Sequence, residues 1–114
     1  ANNPIWLIRN GELQSFGPDK QPIGTHGGEQ NPFTLHEMQL EKGDCLYLFT
    51  DGYADQFGGS KGKKFKYKQL QELLLSVHKQ SADEQRRRLD ETIENWKGGL
   101  EQIDDILIIG IRIL

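Results

Sequence analysis

The sequence predicts an α+β domain: a mainly antiparallel sheet with two amphipathic helices on one face. Strand-like apolar runs fall in two groups, at 5–49 and 106–114, and a helical period occupies only the stretch between them. The element order is therefore β-hairpin, β, β, α, α, β. That is neither the regular alternation of a parallel βαβ sheet nor an all-β pattern. A length of 114 residues allows one core and not two, so 1–114 reads as a single domain.

Composition excludes several classes. Hydrophobic residues are 35% and charged residues 27%. This is polar for a globular domain, but the apolar residues cluster, which argues against disorder. The net charge of −3 argues against a nucleic-acid binder. No apolar run is long enough to span a bilayer, so no direct membrane segment is expected. The single cysteine, Cys45, excludes an internal disulfide framework and a cysteine-rich zinc site. It fits a reducing compartment, and a cytoplasmic location is expected. The chain opens on Ala1-Asn2-Asn3-Pro4, with no initiator Met and no basic-then-apolar leader. The expectation is an excised fragment without a secretory signal.

Each element has its own signal. Ile5-Trp6-Leu7-Ile8 is a β-type run, Asn10-Gly11 is a type I′ turn signal, and Glu12 to Phe16 alternates polar and apolar. Residues 5–16 therefore read as a β-hairpin. The glycines and prolines of 17–32 mark a connecting loop, in which His26, Gly27 and Gly28 could line a binding segment. Phe33 to Leu40 reads as a short strand, and Lys42-Gly43-Asp44 as a turn. Cys45-Leu46-Tyr47-Leu48-Phe49 is continuously apolar. Continuity predicts a central strand buried on both faces. Residues 58–64 read as a glycine-rich basic loop.

Then the period changes. Tyr67, Leu70, Leu74 and Val77 recur at helical spacing. Ser81-Ala82-Asp83-Glu84 has capping-box spacing and opens a second helix, whose stripe is Leu89, Ile93 and Trp96 and whose stop is Gly98-Gly99. Ile106 to Leu114 is rich in β-branched residues and is expected to be another central strand.

Chemistry concentrates in the acids. Asp51 ends one apolar strand, while Asp104 and Asp105 begin another. Either site alone reads more readily as an ordinary turn. If the strands are antiparallel neighbours, the carboxylates converge at one sheet edge, where they repel unless a cation holds them. Hard oxygen donors without a Cys or His cluster suit Mg²⁺ or Mn²⁺ rather than zinc.

The run Gly43 to Gly59, with Thr50-Asp51-Gly52-Tyr53-Ala54-Asp55-Gln56-Phe57-Gly58-Gly59 at its heart, resembles the late acidic motif of the metal-dependent serine/threonine protein phosphatases. Within them it is most similar to the SpoIIE-like branch. The tail from Trp96-Lys97-Gly98 through Gln102-Ile103-Asp104-Asp105-Ile106 resembles that family's closing motif, and the opening hairpin and Pro22-Ile23-Gly24 also fit. The resemblance implies an α-β-β-α sandwich with a two-metal centre of Mn²⁺ or Mg²⁺ at one edge. It implies that Asp51 and Asp104 are metal ligands. Asp105 and Gly52 then belong to the surrounding shell, and Asp55 to an accessory metal position. It also implies hydrolysis of phosphoserine or phosphothreonine on a regulatory protein in bacterial signalling. Water attacks phosphorus directly there, without a phosphoenzyme.

Two departures qualify this. The family's earlier half, with its own bridging Asp and Asp-Gly pair, has no counterpart here, so the chain resembles the C-terminal half of the domain and is expected to be inactive in isolation. Leu107 also stands where many relatives have Thr. The alternative is a catalytically inactive phosphatase-like module for binding or dimerisation. A half-sandwich leaves a sheet face open, so a homodimer through that face, or aggregation, is expected. The parent protein is expected to be cytoplasmic or tethered to a membrane.

Other residues read more plainly. Lys61, Lys63 and Lys64 form a solvated loop that could attract a phosphorylated partner. Arg86-Arg87-Arg88, among acidic neighbours, reads as a solvated helix face. His26, His36 and His78 have no metal-ligand spacing, and Cys45 reads as core.

Overall fold

The structure, a computed structural model, describes residues 3–17 and 39–114. The expected loop at 18–32 and the expected strand at 33–38 lie outside the described residues, as do His26 and His36. Gln39 and Leu40 are not in a strand. The elements are β1 (Ile5–Arg9), β2 (Glu12–Phe16), β3 (Cys45–Phe49), α1 (Gly52–Asp55), β4 (Phe57–Gly58), β5 (Lys63–Lys64), α2 (Tyr67–Val77), α3 (Ala82–Lys97) and β6 (Ile108–Arg112).

The main sheet runs β2-β1-β3-β6, and every neighbouring pair is antiparallel. The opening hairpin forms as its turn signal predicts. Asn10 and Gly11 both take positive φ, 52° and 76°, which a type I′ turn requires. Next to it, Asp44 is buried, and its carboxylate receives Arg9 Nε at 3.0 Å and Nη2 at 2.7 Å, with the Glu41 amide at 2.7 Å. The Arg9 hydrogen bonds hold this carboxyl below its usual range. Nothing in the apolar pattern announced that pair.

One face of the sheet meets the helices. Trp6, Ile8, Cys45, Tyr47 and Phe49 share a core with Tyr53, Phe65, Leu70, Leu74 and Ile93. Burying each large apolar side chain contributes about 1.5–3 kcal/mol. The helical stripe predicted for α2 is buried at Leu70, Leu74 and Val77. Ser81 caps α3 by accepting the Glu84 amide at 3.2 Å, and Gly98, at a positive φ of 55°, closes it with its amide on the Glu94 carbonyl. Cys45 is core, as expected, and Arg87 bridges Glu84 and Glu91 on the exposed face of α3.

Three expectations need correction. β3 is not buried on both faces: Leu48 is 37% exposed and Leu46 half-buried, although Leu7, opposite Leu46 on β1, is buried. The last strand begins at Ile108 and forms an edge of the sheet, with Ile109 and Ile111 close to half exposed. The glycine-rich segment 58–64 is not merely a loop, since its ends pair as the β4–β5 ribbon, Phe57 opposite Lys64. That ribbon packs on α3. A Cβ on Gly58 would sit 1.9 Å from the Trp96 carbonyl oxygen, so only glycine permits the contact.

Candidate metal centre

Asp51 lies two residues beyond the end of β3 and stands at the N-cap of α1. Its neighbour across the sheet is fixed by register: Phe49 lies opposite Ile108, so the chain leaving β3 meets the chain entering β6. Thr50 ties the two segments. Its hydroxyl donates to the Asp105 carbonyl at 2.9 Å and accepts the Leu107 amide at 3.0 Å, while its own amide donates to the Leu107 carbonyl at 3.0 Å. Gly52 completes the approach. A Cβ there would lie 2.2 Å from the Asp105 carbonyl oxygen. The convergence of the two segments expected from sequence is therefore present in the backbone.

The carboxylates have distinct surroundings. Asp51 Oδ1 accepts the Tyr67 hydroxyl at 2.5 Å, a charge-assisted distance. Burial, followed by the hydrogen bond to Asp51, pushes the Tyr67 hydroxyl well above its usual range. Asp104 is exposed, and its Oδ1 accepts the Asp105 amide at 2.8 Å, which shapes the loop. Asp105 contributes its carbonyl to Thr50. Asp55 faces Lys64 Nζ at 3.5 Å.

Two residues the sequence reading passed over hold this region. Gln56 is fully buried, and its Nε2 donates to the Glu101 carbonyl at 2.9 Å and to the Phe57 carbonyl at 3.0 Å. It thus anchors the start of the loop that carries Asp104. Tyr67 was expected in the apolar stripe of α2. It starts that helix and points its hydroxyl at Asp51. Thr50 could have been singled out, because it sits inside the Thr-Asp-Gly motif.

The donor set is made of hard oxygens, which suits Mg²⁺ or Mn²⁺. Among the described residues, no three His, Cys, Asp or Glu side chains come together as a metal cluster. The residues fit a share of a divalent-metal site, on the Gly52 cradle, and not a whole one.

The antiparallel sheet with two helices on one face is similar to part of a PP2C phosphatase domain. The chain belongs to the SpoIIE family: the model of Stage II sporulation protein E matches residues 1–114. Among solved structures it is similar to the SiaA-PP2C domain of Pseudomonas aeruginosa, with 28% identity and a TM-score of 0.83, over 98% of this chain and 43% of that one. The phosphatase domain of the cell fate determinant SpoIIE from Bacillus subtilis shares the fold at 16% identity and a TM-score of 0.66, over 99% of this chain and 49% of that one. A manganese-presoaked structure of that domain matches at 17% identity and a TM-score of 0.60, over 99% of this chain and 47% of that one. The chain thus spans less than half the length of the solved domains it resembles. No curated protein sequence matches it.

Proposed function

We propose that this chain is the C-terminal part of a Mn²⁺- or Mg²⁺-dependent phosphoserine/phosphothreonine protein phosphatase of bacterial signal transduction. The observation that carries the reading is the tie between Thr50, Gly52 and Asp105, which draws the Asp51 and Asp104 segments to one sheet edge. Asp51 and Asp104 would hold the ion, and Asp55 and Asp105 stand close by in sequence as supporting acids. A bound divalent ion would supply an activated water and neutralise charge on the phosphoryl oxygens. The chain's own part is to hold the carboxylates together, with Thr50 fixing the backbone and Tyr67 fixing Asp51. The remaining ligands belong to the other half of such a domain, so the isolated chain is inactive.

The substrate in this reading is a phosphorylated regulatory protein. Lys61, Lys63 and Lys64 lie exposed on the β4–β5 ribbon, beside the chain that leads to Tyr67, and their charge suits a phosphorylated partner. Among the described residues no helix is long and apolar enough to cross a membrane. A cytoplasmic site of action, on a parent that is itself soluble or tethered, goes with this reading.

The exposed β3–β6 part of one sheet face favours a second reading, an inactive binding or dimerisation module. Leu48, Ile109 and Ile111 are exposed there together. In the phosphatase reading, the other half of the sandwich covers that face, and a second copy covers it in the isolated chain.

The test is a Mn²⁺ titration by calorimetry on the longest native polypeptide that carries this chain, with Asp51→Asn and Asp104→Asn alongside. Binding that both substitutions weaken supports the phosphatase. A parent that takes up no Mn²⁺ and hydrolyses no phosphoprotein supports the binding module.

A further inference from the structure

We infer that Tyr67 is a positioning residue that ties one oxygen of Asp51 and leaves the other as the ligand of a divalent cation. The inference rests on the metal-dependent reading above. Its basis is a chain of contacts that has no other evident purpose.

The phenol donates to Asp51 Oδ1 at 2.5 Å. Among the described residues no donor meets the second oxygen, Oδ2. An aspartate at the N-cap of a helix ordinarily turns its carboxylate onto the helix's own amides. Asp51 makes no such side-chain cap. Its carboxylate is held from outside the helix instead.

The tyrosine is itself fixed. Its ring packs 5.8 Å from Phe49 and edge-on to Trp6 at 6.0 Å, centroid to centroid. The residue before it, Lys66, has φ 78° and ψ 154°, a region populated essentially by glycine. Two backbone hydrogen bonds hold that turn against the Asp51 segment: Phe65 N to Gln56 O at 2.9 Å and Lys66 N to Ala54 O at 2.8 Å. The strained turn starts α2 with Tyr67 directed at Asp51. A tyrosine needed only for packing would not require a hydroxyl on a carboxylate.

Hydrogen-bond partners of a metal ligand fix its orientation, and their loss typically weakens metal binding 10–100-fold. With Oδ1 engaged by a neutral donor, Asp51 is set to bind through one oxygen. A carboxylate without the phenol is able to rotate or chelate through both.

The test compares wild type with Tyr67→Phe in the longest native polypeptide that carries this chain. It reads Mn²⁺ affinity by calorimetry and the melting temperature without metal. Phenylalanine keeps the ring against Trp6 and Phe49, so the metal-free melting temperature should move little. The expected result is Mn²⁺ binding weakened by about 10–100-fold. Equal or tighter binding by Tyr67→Phe overturns the inference while the phosphatase reading stands. A wild type that takes up no Mn²⁺ overturns both.

Discussion

The Thr50 hydroxyl bonds the Asp105 carbonyl at 2.9 Å across the gap between β3 and β6, 55 residues apart in sequence. One side chain thereby joins the end of a central strand to the beginning of an edge strand. This tie and the close approach at Gly52 hold the segment that carries Asp51 against the segment that carries Asp105.

Thr50→Val keeps the β-branched shape but removes both hydroxyl hydrogen bonds, leaving the Asp105 carbonyl and the Leu107 amide without that partner. The expected loss is about 1–2 kcal/mol of stability. Chemical denaturation should find it, and Mn²⁺ affinity should fall with it.

Gly52→Ala tests the close approach directly. The added methyl would stand 2.2 Å from a backbone oxygen, which cannot swing aside as a flexible side chain does. A cost of about 1–3 kcal/mol is expected. If the variant melts like wild type, Asp51 and Asp105 are not held as described.

Lys66→Gly should do the opposite. It removes the side chain from a backbone conformation that costs a non-glycine residue about 1–3 kcal/mol. The unfolded chain gains freedom, which offsets part of this. A net rise in melting temperature is expected, with Tyr67 still on Asp51. A fall would mean that the Lys66 conformation is not strained.

The Arg9–Asp44 pair carries a pH dependence. The folded pKa of Asp44 lies below its ordinary value of 3.8, with the hydrogen bonds from Arg9 as the main cause. Its stabilisation is therefore complete above about pH 4 and fades as pH falls through the lower folded value. Asp44→Asn should lower the melting temperature at pH 7, and that difference should shrink towards zero in acid. A difference that does not change with pH would place the effect in packing rather than charge.

Much of the fold was legible in the sequence, because local signals agreed with one another. Asn10-Gly11 marked the hairpin, Ser81 to Glu84 marked the start of α3, and helical spacing picked out Leu70, Leu74 and Val77. The misreadings concerned what lies across the chain rather than along it. An apolar run such as Cys45 to Phe49 says that a strand is apolar on both faces, not that both faces are covered. The same ambiguity made β6 look central when it is an edge.

The candidate site was legible only through its acids. Tyr67 stood in a helical period and passed for core, since its role depends on the backbone turn at Lys66, which no side-chain pattern announces. Gln56 was hidden for a similar reason. Its partners are carbonyls, and carbonyls leave no trace in a sequence.

The pairing of β3 with β6 also sets an order of events in folding. Asp51 and Asp104 are separated by α1, the β4–β5 ribbon, α2 and α3, all of which are built mostly from contacts close in sequence. The approach of the two segments awaits the closure of a loop spanning residues 50–107, a slow and non-local step. The helices can form early, but the acidic edge can form only when the last strand docks. A nascent or truncated chain that lacks Ile108–Arg112 would have helical segments without the β3–β6 edge.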